Sequence, residues 1–361
     1  MNAKNIKRIF VFATLILAVI QGLRFMLESR IPNMNTGDKM ITNCQEFTND
    51  GVVDNKILVV EDNGITTYPY VAGSRLYLYD LKTKKKQLLT MTILPFVEIG
   101  DMFTIADNKV CYNIAVWKDS VGYFYLQEIG SSRKEKFDIR DQCLGYSLSG
   151  DMLFYYEETD NETMTDDFYE VYAINLKTGQ KEKYFDGPIE FFKIIDDKVW
   201  GYNPQEKVFL IKDMDNSTLQ EIPYTCEWIY DIVVCQNTMY VFDIGEVGDE
   251  NTVRLVKFDM NTEESNILKS FSGERNKSNL CIKGDKIYYG LEQDETVHIY
   301  EYDLETAETR KIIETKADYV NISFCSDYIA LDSWGQENAG EDEHQLSVYD
   351  YDGQNIRNEK L

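Results

Sequence analysis

The chain has 361 residues, 43% hydrophobic and 13% aromatic, with 25 Tyr, 18 Phe and only six Pro, which excludes an intrinsically disordered chain and favours strands over helices. Its formal net charge is −25, unevenly spread: residues 1–40 hold six Lys/Arg against two Asp/Glu, leaving 31 basic and 60 acidic residues in the rest. A domain that acidic repels phosphate backbones, so nucleic acid is excluded as a partner.

The first element is an anchor. Lys4, Lys7 and Arg8 precede the apolar run IFVFATLILAVIQGL from Ile9 to Leu23, which extends past Arg24 to Leu27. At about 1.5 Å per residue such a helix nearly spans a hydrocarbon core of about 30 Å, with Arg24 snorkelling to the outer interface. The positive cluster ahead of it predicts the N-terminus inside and the bulk of the chain outside the cell membrane. A cleavable signal peptide is the rival reading. No small-x-small site precedes Arg24, and the first cysteine, Cys44, is too late for a lipoprotein signal. An uncleaved signal anchor is therefore expected, with residues 1–8 cytoplasmic, 9–27 spanning, 28–43 a tether and 44–361 an extracytoplasmic domain.

That domain repeats itself. A polar turn followed by an apolar strand recurs at Asn55, Asn108, Asp151, Asp197, Asn237, Asp285 and Asp327, a mean spacing of about 45 residues. Behind each comes an alternating strand ending in a polar turn: LYLYDLKT (76–83), VYAINLKTG (171–179), VKFDMNT (256–262), YEYDLET (300–306) and SVYDYDG (347–353). LIKDMDN (210–216) and YLQEIGS (125–131) are weaker versions. The Asp or Asn opening these turns is placed to accept backbone N–H groups two residues on. Two signals in phase seven times predict seven units of four antiparallel strands. The second strand of each unit, as in LFYY or VWGY, is apolar at consecutive positions, as required when sheets pack on both its faces. The fold expected is all-β, a seven-bladed β-propeller behind one N-terminal transmembrane helix. The C-terminal NIRNEKL suffices to complete the last blade, while residues 41–50 are a competing candidate for that place.

The pattern GDKIYY … YEYDLET … RKII at 284–313 resembles the blades of membrane-anchored propeller proteins of Gram-positive bacteria, a domain of unknown function with TolB-type repeats. The resemblance covers about residues 45–361 and rests on structural motifs. It implies a propeller and a membrane location and adds no activity.

Chemistry is sparse. His298, on a third strand, and His344, in an acidic loop, are the only histidines and fall in different units, so neither a catalytic triad nor a histidine zinc site is expected. None of Cys44, Cys111, Cys143, Cys226, Cys235, Cys281 and Cys325 forms a C-x-x-C, and buried free thiols are expected, with an oxidised pair as the alternative. The parity of Cys235, Cys281 and Cys325 before their turns points them to the same side of successive blades. The acidic loops at 157–167, 245–251 and 335–344 match no calcium loop and read as solvated charge, with carboxylate coordination of Ca²⁺ as the alternative. No metal or cofactor is implied.

These loops share one rim with the entries to the innermost strands, and that rim should carry Tyr68, Tyr70, Trp117, Trp228 and Trp334. Aromatics so placed stack on sugars or anchor a protein, unless they merely cover the core. Asp231 and Asp101, on first strands, are the carboxylates available to a channel hydrolase or lyase, unless they bond backbone between blades. A non-enzymatic binding or scaffolding module is the function expected. A glycan-binding sensor of the cell wall is the first alternative, and a glycoside hydrolase or lyase the second.

Overall fold

The computed structural model describes residues 39–43, 55–62, 74–92, 97–106, 108–116, 123–131, 133–137, 143–158, 169–214, 218–248, 250–276, 278–316, 319–334 and 345–360. The anchor expected over 9–27 lies outside them. Among the described residues no helix is long and apolar enough to cross a membrane.

The strands form seven antiparallel sheets, each built from consecutive stretches of chain. Blade one holds β1 (Lys39–Asn43), β2 (Lys56–Asp62), β3 (Ser74–Asp80) and β4 (Lys85–Met91); blade two holds β5 (Val97–Ala106), β6 (Lys109–Val116), β7 (Tyr123–Glu128) and β8 (Lys134–Phe137). Blade three holds β9 (Cys143–Ser149), β10 (Met152–Glu158), β11 (Tyr169–Asn175) and β12 (Lys181–Lys183). Blade four holds β13 (Phe191–Ile195), β14 (Lys198–Asn203), β15 (Val208–Asp213) and β16 (Leu219–Pro223). Blade five follows with β17 (Trp228–Cys235), β18 (Thr238–Val247), β19 (Glu250–Asp259) and β20 (Glu264–Phe271). In blade six the inner strand is split into β21 (Arg275–Asn276) and β22 (Cys281–Lys283), followed by β23 (Lys286–Gln293), β24 (Thr296–Asp303) and β25 (Thr309–Lys316). Blade seven holds β26 (Tyr319–Phe324), β27 (Ile329–Trp334), β28 (Gln345–Tyr349) and β29 (Asn355–Lys360).

This is a seven-bladed propeller, and the consecutive apolar positions of the second strands explain why the sheets form a ring. On β23, Ile287, Tyr289 and Leu291 enter the core shared with blade five, while Tyr288 enters the core shared with blade seven. On β18, Met239 and Val241 face blade four, and Tyr240 and Phe242 face blade six. Alternate residues of one strand thus serve two neighbours. Seven such apolar clusters sit at the seven junctions between blades, including the junction of blade seven with blade one. Burying one large apolar side chain such as Phe242 contributes roughly 1.5–3 kcal/mol.

Among the described residues the ring closes without exchanging a strand. The C-terminal segment completes blade seven as β29, and β1 pairs with β2. Lys39–Asn43, a stretch the sequence assigns to the tether, is therefore the innermost strand of blade one. Ile57, Val59, Tyr79 and Leu81 pack against Cys325, Ala330, Leu346 and Val348 across the seam. Polar contacts overlie them: Asn55 Nδ2 donates to Asp327 Oδ2 at 2.8 Å, Asp327 N to Asn55 Oδ1 at 2.9 Å, and Tyr79 Oη to the Glu359 carboxylate.

The third-to-fourth-strand turns form as their sequence dictates. Asp80, Asn175, Asp259, Asp303 and Asp350 each accept two backbone N–H groups from the residues that follow. Each turn closes on a residue with positive φ, namely Lys84, Gly179, Glu263, Ala307 and Gly353. At Gly353 a Cβ would lie 2.2 Å from Ile312 O in blade six, so only glycine fits there.

Candidate functional site

In each blade the first strand runs away from one end of the ring and the second returns to it. In blade five Trp228, the first residue of β17, is paired with Ile244 near the end of β18. The entries to the inner strands and the second-to-third-strand connections therefore share the loop end, and the first-to-second and third-to-fourth-strand turns share the opposite end.

The entry to β17 is held by two backbone contacts. Glu227 N donates to Ile244 O at 2.8 Å, and Ile229 N donates to Glu190 Oε1, from the segment entering blade four, at 3.0 Å. Burial pushes the Glu190 carboxyl from its ordinary 4.5 up to about 7, against the Ile229 N–H, which favours the charged form, and with help from the Glu227 charge. Trp228 stands on this support 42% exposed, with no ring contact among the described residues.

A bulge follows immediately. Ile229 pairs with Asp243 and Asp231 with Phe242, so Tyr230 is the extra residue. Tyr230 turns to the gap between blades five and six, its ring 6.2 Å from that of Phe242. Asp231 is buried and fully engaged. Lys193 Nζ on β13 donates to Asp231 Oδ1 at 2.8 Å and to Ile232 O at 2.8 Å, and Leu280 N in blade six donates to Asp231 Oδ2 at 2.7 Å. One carboxylate thus ties together the inner strands of three blades.

Across the gap, the inner strand of blade six breaks between β21 and β22. Ser278 Oγ fills the break, accepting from Gly290 N at 2.6 Å and donating to Asn279 O at 2.9 Å. A Cβ at Gly290 would lie 2.4 Å from Ile322 Cδ1, so any larger residue there would displace the Ile322 side chain. Arg275, which opens β21, is exposed at the loop end. Two irregularities of adjacent inner strands, a bulge and a break, therefore flank one gap.

Below the rim, Arg254 clamps Asp243 with Nε–Oδ1 at 2.9 Å and Nη2–Oδ2 at 2.6 Å, and Tyr224 Oη donates to Asp243 Oδ2 at 2.7 Å. The nearby Cys226 thiol is pushed up to about 12 by burial, which keeps it protonated and unreactive at neutral pH. His298 lies on the third strand of blade six as expected, its Nε2 3.4 Å from Glu314. Cys111, Cys226, Cys235, Cys281 and Cys325 are free thiols. Cys235 is exposed, against the expectation of burial, because it ends its strand beside the turn at the opposite face. Cys281 faces blade seven and Cys325 faces blade one, the shared handedness that their spacing implies.

Of the expected rim aromatics, Trp228 is placed and exposed. Trp334 ends β27 opposite Tyr319, at the loop end. Tyr68, Tyr70 and Trp117 lie outside the described residues, as do His344 and Cys44. Asp101 is on β5, an inner strand. Arg275, Tyr230 and Glu190 were missed by sequence reasoning, although each sits at an inner-strand entry, the position that singled out Trp228. Among the described residues no group of three or more His, Cys, Asp or Glu is placed to hold a metal ion.

A cleft of about 410 Å³ lies at the turn end between blades two and three, lined by Lys109, Arg133, Lys177, Glu128, Glu135 and Asp151. Five of these six charged side chains pair with one another. Lys177 and Lys109 reach Asp151 at 2.5 and 3.2 Å and hold its carboxyl below the usual range, and Arg133 pairs with Glu135 at 3.6 Å.

No protein-family model matches the chain, and no curated protein matches it. Solved structures do. The β-propeller domain of the Trilobed protease from Pyrococcus furiosus superposes with a TM-score of 0.61 at 11% identity, over 90% of this chain and 97% of that domain. A prolyl endopeptidase gives 0.59 at 10% identity over 90% of this chain and 50% of that one, so the chain spans about half the length of that enzyme. TolB from Acinetobacter baumannii gives 0.45 at 12% identity, over 65% of this chain and 58% of that one. At these identities the first two show a shared propeller fold and nothing finer.

Proposed function

We propose that the protein is a non-enzymatic binding or scaffolding module, carried outside the cell membrane on its N-terminal helix, whose loop-end rim captures a protein partner. The observation that carries this reading is Trp228, a large aromatic left exposed and unstacked on a rigidly supported rim. Exposed Trp anchors of this kind dominate protein–protein binding energies. Location and orientation rest on the basic-then-apolar N-terminal sequence. The channel-carboxylate reading loses Asp231, whose two oxygens are committed to Lys193 and Leu280.

Crosslinking on intact cells expressing the full chain, with mass spectrometry of what co-purifies, tests the proposal. A stoichiometric protein lost in Trp228→Ala, with thermal unfolding unchanged, supports it. The same proteins captured by both forms overturn it, and capture of wall glycan alone turns the reading to the glycan sensor. A second reading draws on the propellers of the two proteases: the ring would then serve peptide hydrolysis. Cleavage of unstructured peptides by the purified chain would favour that reading.

A further inference from the structure

We infer that the outer edge of β4 is a docking strand for an extended acidic segment of a partner protein. This edge lies on the circumference of the ring, and its use is independent of the loop-end tryptophan.

The first argument is where the positive charge sits. The stretches 82–86, 133–136 and 177–183 hold ten Lys/Arg against two Asp/Glu, which leaves 27 basic and 60 acidic residues in the rest of the chain. They occupy one place in three successive blades, the third-to-fourth-strand turn and the start of the outermost strand, and all are exposed. The same place in blades four to seven, at 214–221, 260–266, 304–311 and 351–357, holds three basic against seven acidic residues. Lysines on an edge strand guard it against unwanted pairing. Four of the seven edges manage without that guard, and toward an acidic strand the same charges attract. Screening over about 8 Å keeps the acidic remainder of the ring from cancelling them.

The second argument is the strand itself. Of the three basic edges only β4 is long enough to pair, with seven residues against four in β8 and three in β12. It ends the sheet of blade one, so its outer side has no strand partner among the described residues. From Lys82 to Met91 the turn and strand carry four lysines and no carboxylate. The longer edges β20 and β25 are balanced by carboxylates: Glu264 opens β20, and in β25 Arg310 and Lys311 pair with Glu301 and Glu314. Lys82 and Lys84 touch Asp327 and Glu359 of blade seven at 3.5 and 4.0 Å. Such surface pairs contribute at most about 1 kcal/mol and yield to an incoming carboxylate.

The third argument is the register. Lys86 and Leu88 pair with Tyr79 and Tyr77 on the blade-seven side, and Leu88 is 44% exposed. Lys85 and Gln87 pair with Asp80 and Leu78 on the blade-two side. Across that gap β8 turns Lys134 and Lys136 toward blade one, and Lys134 donates to Thr90 of β4. A strand laid along Lys85–Leu88, with carboxylates on one face and apolar side chains on the other, meets lysines with the first and covers Leu88 with the second. A flat anionic membrane fits the basic residues less well, because the outer edges of blades one and three point about 100° apart, two sevenths of a turn.

The test titrates the full-length protein by calorimetry with acetyl-EVEVEVE-amide, the same peptide N-methylated at every residue, the lysine counterpart KVKVKVK, and polyglucuronate. Methylation keeps the charge and removes the backbone donors, so it should weaken binding about tenfold or more, and the lysine peptide should not bind. Lys85→Glu with Lys86→Glu should cost more than about tenfold with thermal unfolding unchanged. The same charge reversal on β12, Lys181→Glu with Lys183→Glu, should cost less than about threefold, and Trp228→Ala nothing. Equal binding of the methylated peptide or of polyglucuronate would reduce the edge to a charged patch and overturn the inference. So would binding indifferent to the β4 reversals, binding lost in Trp228→Ala, or no binding of the glutamate peptide at millimolar concentration. If the glutamate peptide fails while partner capture still depends on Trp228, the docking strand falls and the rim reading stands. If capture ignores Trp228 while the peptide binds β4, the reverse holds.

Discussion

The two ends of the ring are built by different rules. At the turn end, hydrogen-bonding side chains are spent on the fold: Asp80, Asn175, Asp259, Asp303 and Asp350 bind their own turns, and Lys109 reaches Gly150 O at 3.0 Å in the next blade. Even in the cleft there, five of the six charged side chains pair with one another. At the loop end of blades five and six a tryptophan stands without stacking and an arginine without a carboxylate, over a bulge and a broken strand. Groups that a fold does not need and does not neutralise are the ones available to a partner, so the difference supports the proposed placing of recognition at the loop end.

The largest expected effect lies between the two ends, where it tests whether the loop end has a rigid base. Asp231→Ala leaves the buried Lys193 ammonium without its carboxylate and Leu280 N without its acceptor. A loss of about 3–5 kcal/mol is expected in urea unfolding. A loss below about 1 kcal/mol would mean that the inner strands of blades four to six do not depend on this carboxylate.

Next comes the turn end itself. Gly353→Ala imposes a side chain at φ 86° and drives its Cβ into Ile312 O. The expected cost is about 2–4 kcal/mol, read from the same unfolding curves, with partner binding unchanged in the folded protein. A weaker probe is Asn175→Ala, which removes the acceptor for Lys177 N and Thr178 N and should cost about 1 kcal/mol. Loss of binding in either variant at full folding would break the division of labour between the ends.

The same division explains what was legible in the sequence. Turn-end chemistry is local: an Asp or Asn bonds N–H groups a few residues on, so five such turns and two weaker versions, in phase with the first-turn signal, announce seven blades. Strand parity is local too, and the pairing of Tyr288 and Tyr289 with opposite cores follows from it. The loop-end site is not local. Asp231 reads as a channel carboxylate until Leu280, 49 residues away, is seen to bond it. The β1 strand was hidden for a related reason. It is separated from β2 by residues 44–55, whereas the other six blades use short first turns that the repeat pattern picks up, blade six between β22 and β23.

The smallest effect is a response to pH confined to the loop end. Glu190 has its carboxyl raised from 4.5 to about 7 in the folded chain because burial disfavours its charge, and it remains partly exposed, so the effect is damped by solvent. Between those values the folded protein binds more protons than the unfolded chain does. Stability from this group is therefore complete below about pH 4.5 and is lost as pH rises through 7. Glu190→Gln cannot ionise and keeps an acceptor for Ile229 N. Its melting temperature should match the unaltered protein near pH 5 and exceed it at pH 8, while Asn175→Ala, which removes a neutral group, should shift both pH values equally. Parallel pH profiles for Glu190→Gln and the unaltered protein would show that the entry to β17, and with it Trp228, is insensitive to that proton. Hydrogen exchange at Ile229 N separates the causes: faster exchange at pH 8 than the chemistry of exchange alone predicts, abolished in Glu190→Gln, would place the pH response at the strand that carries the rim tryptophan.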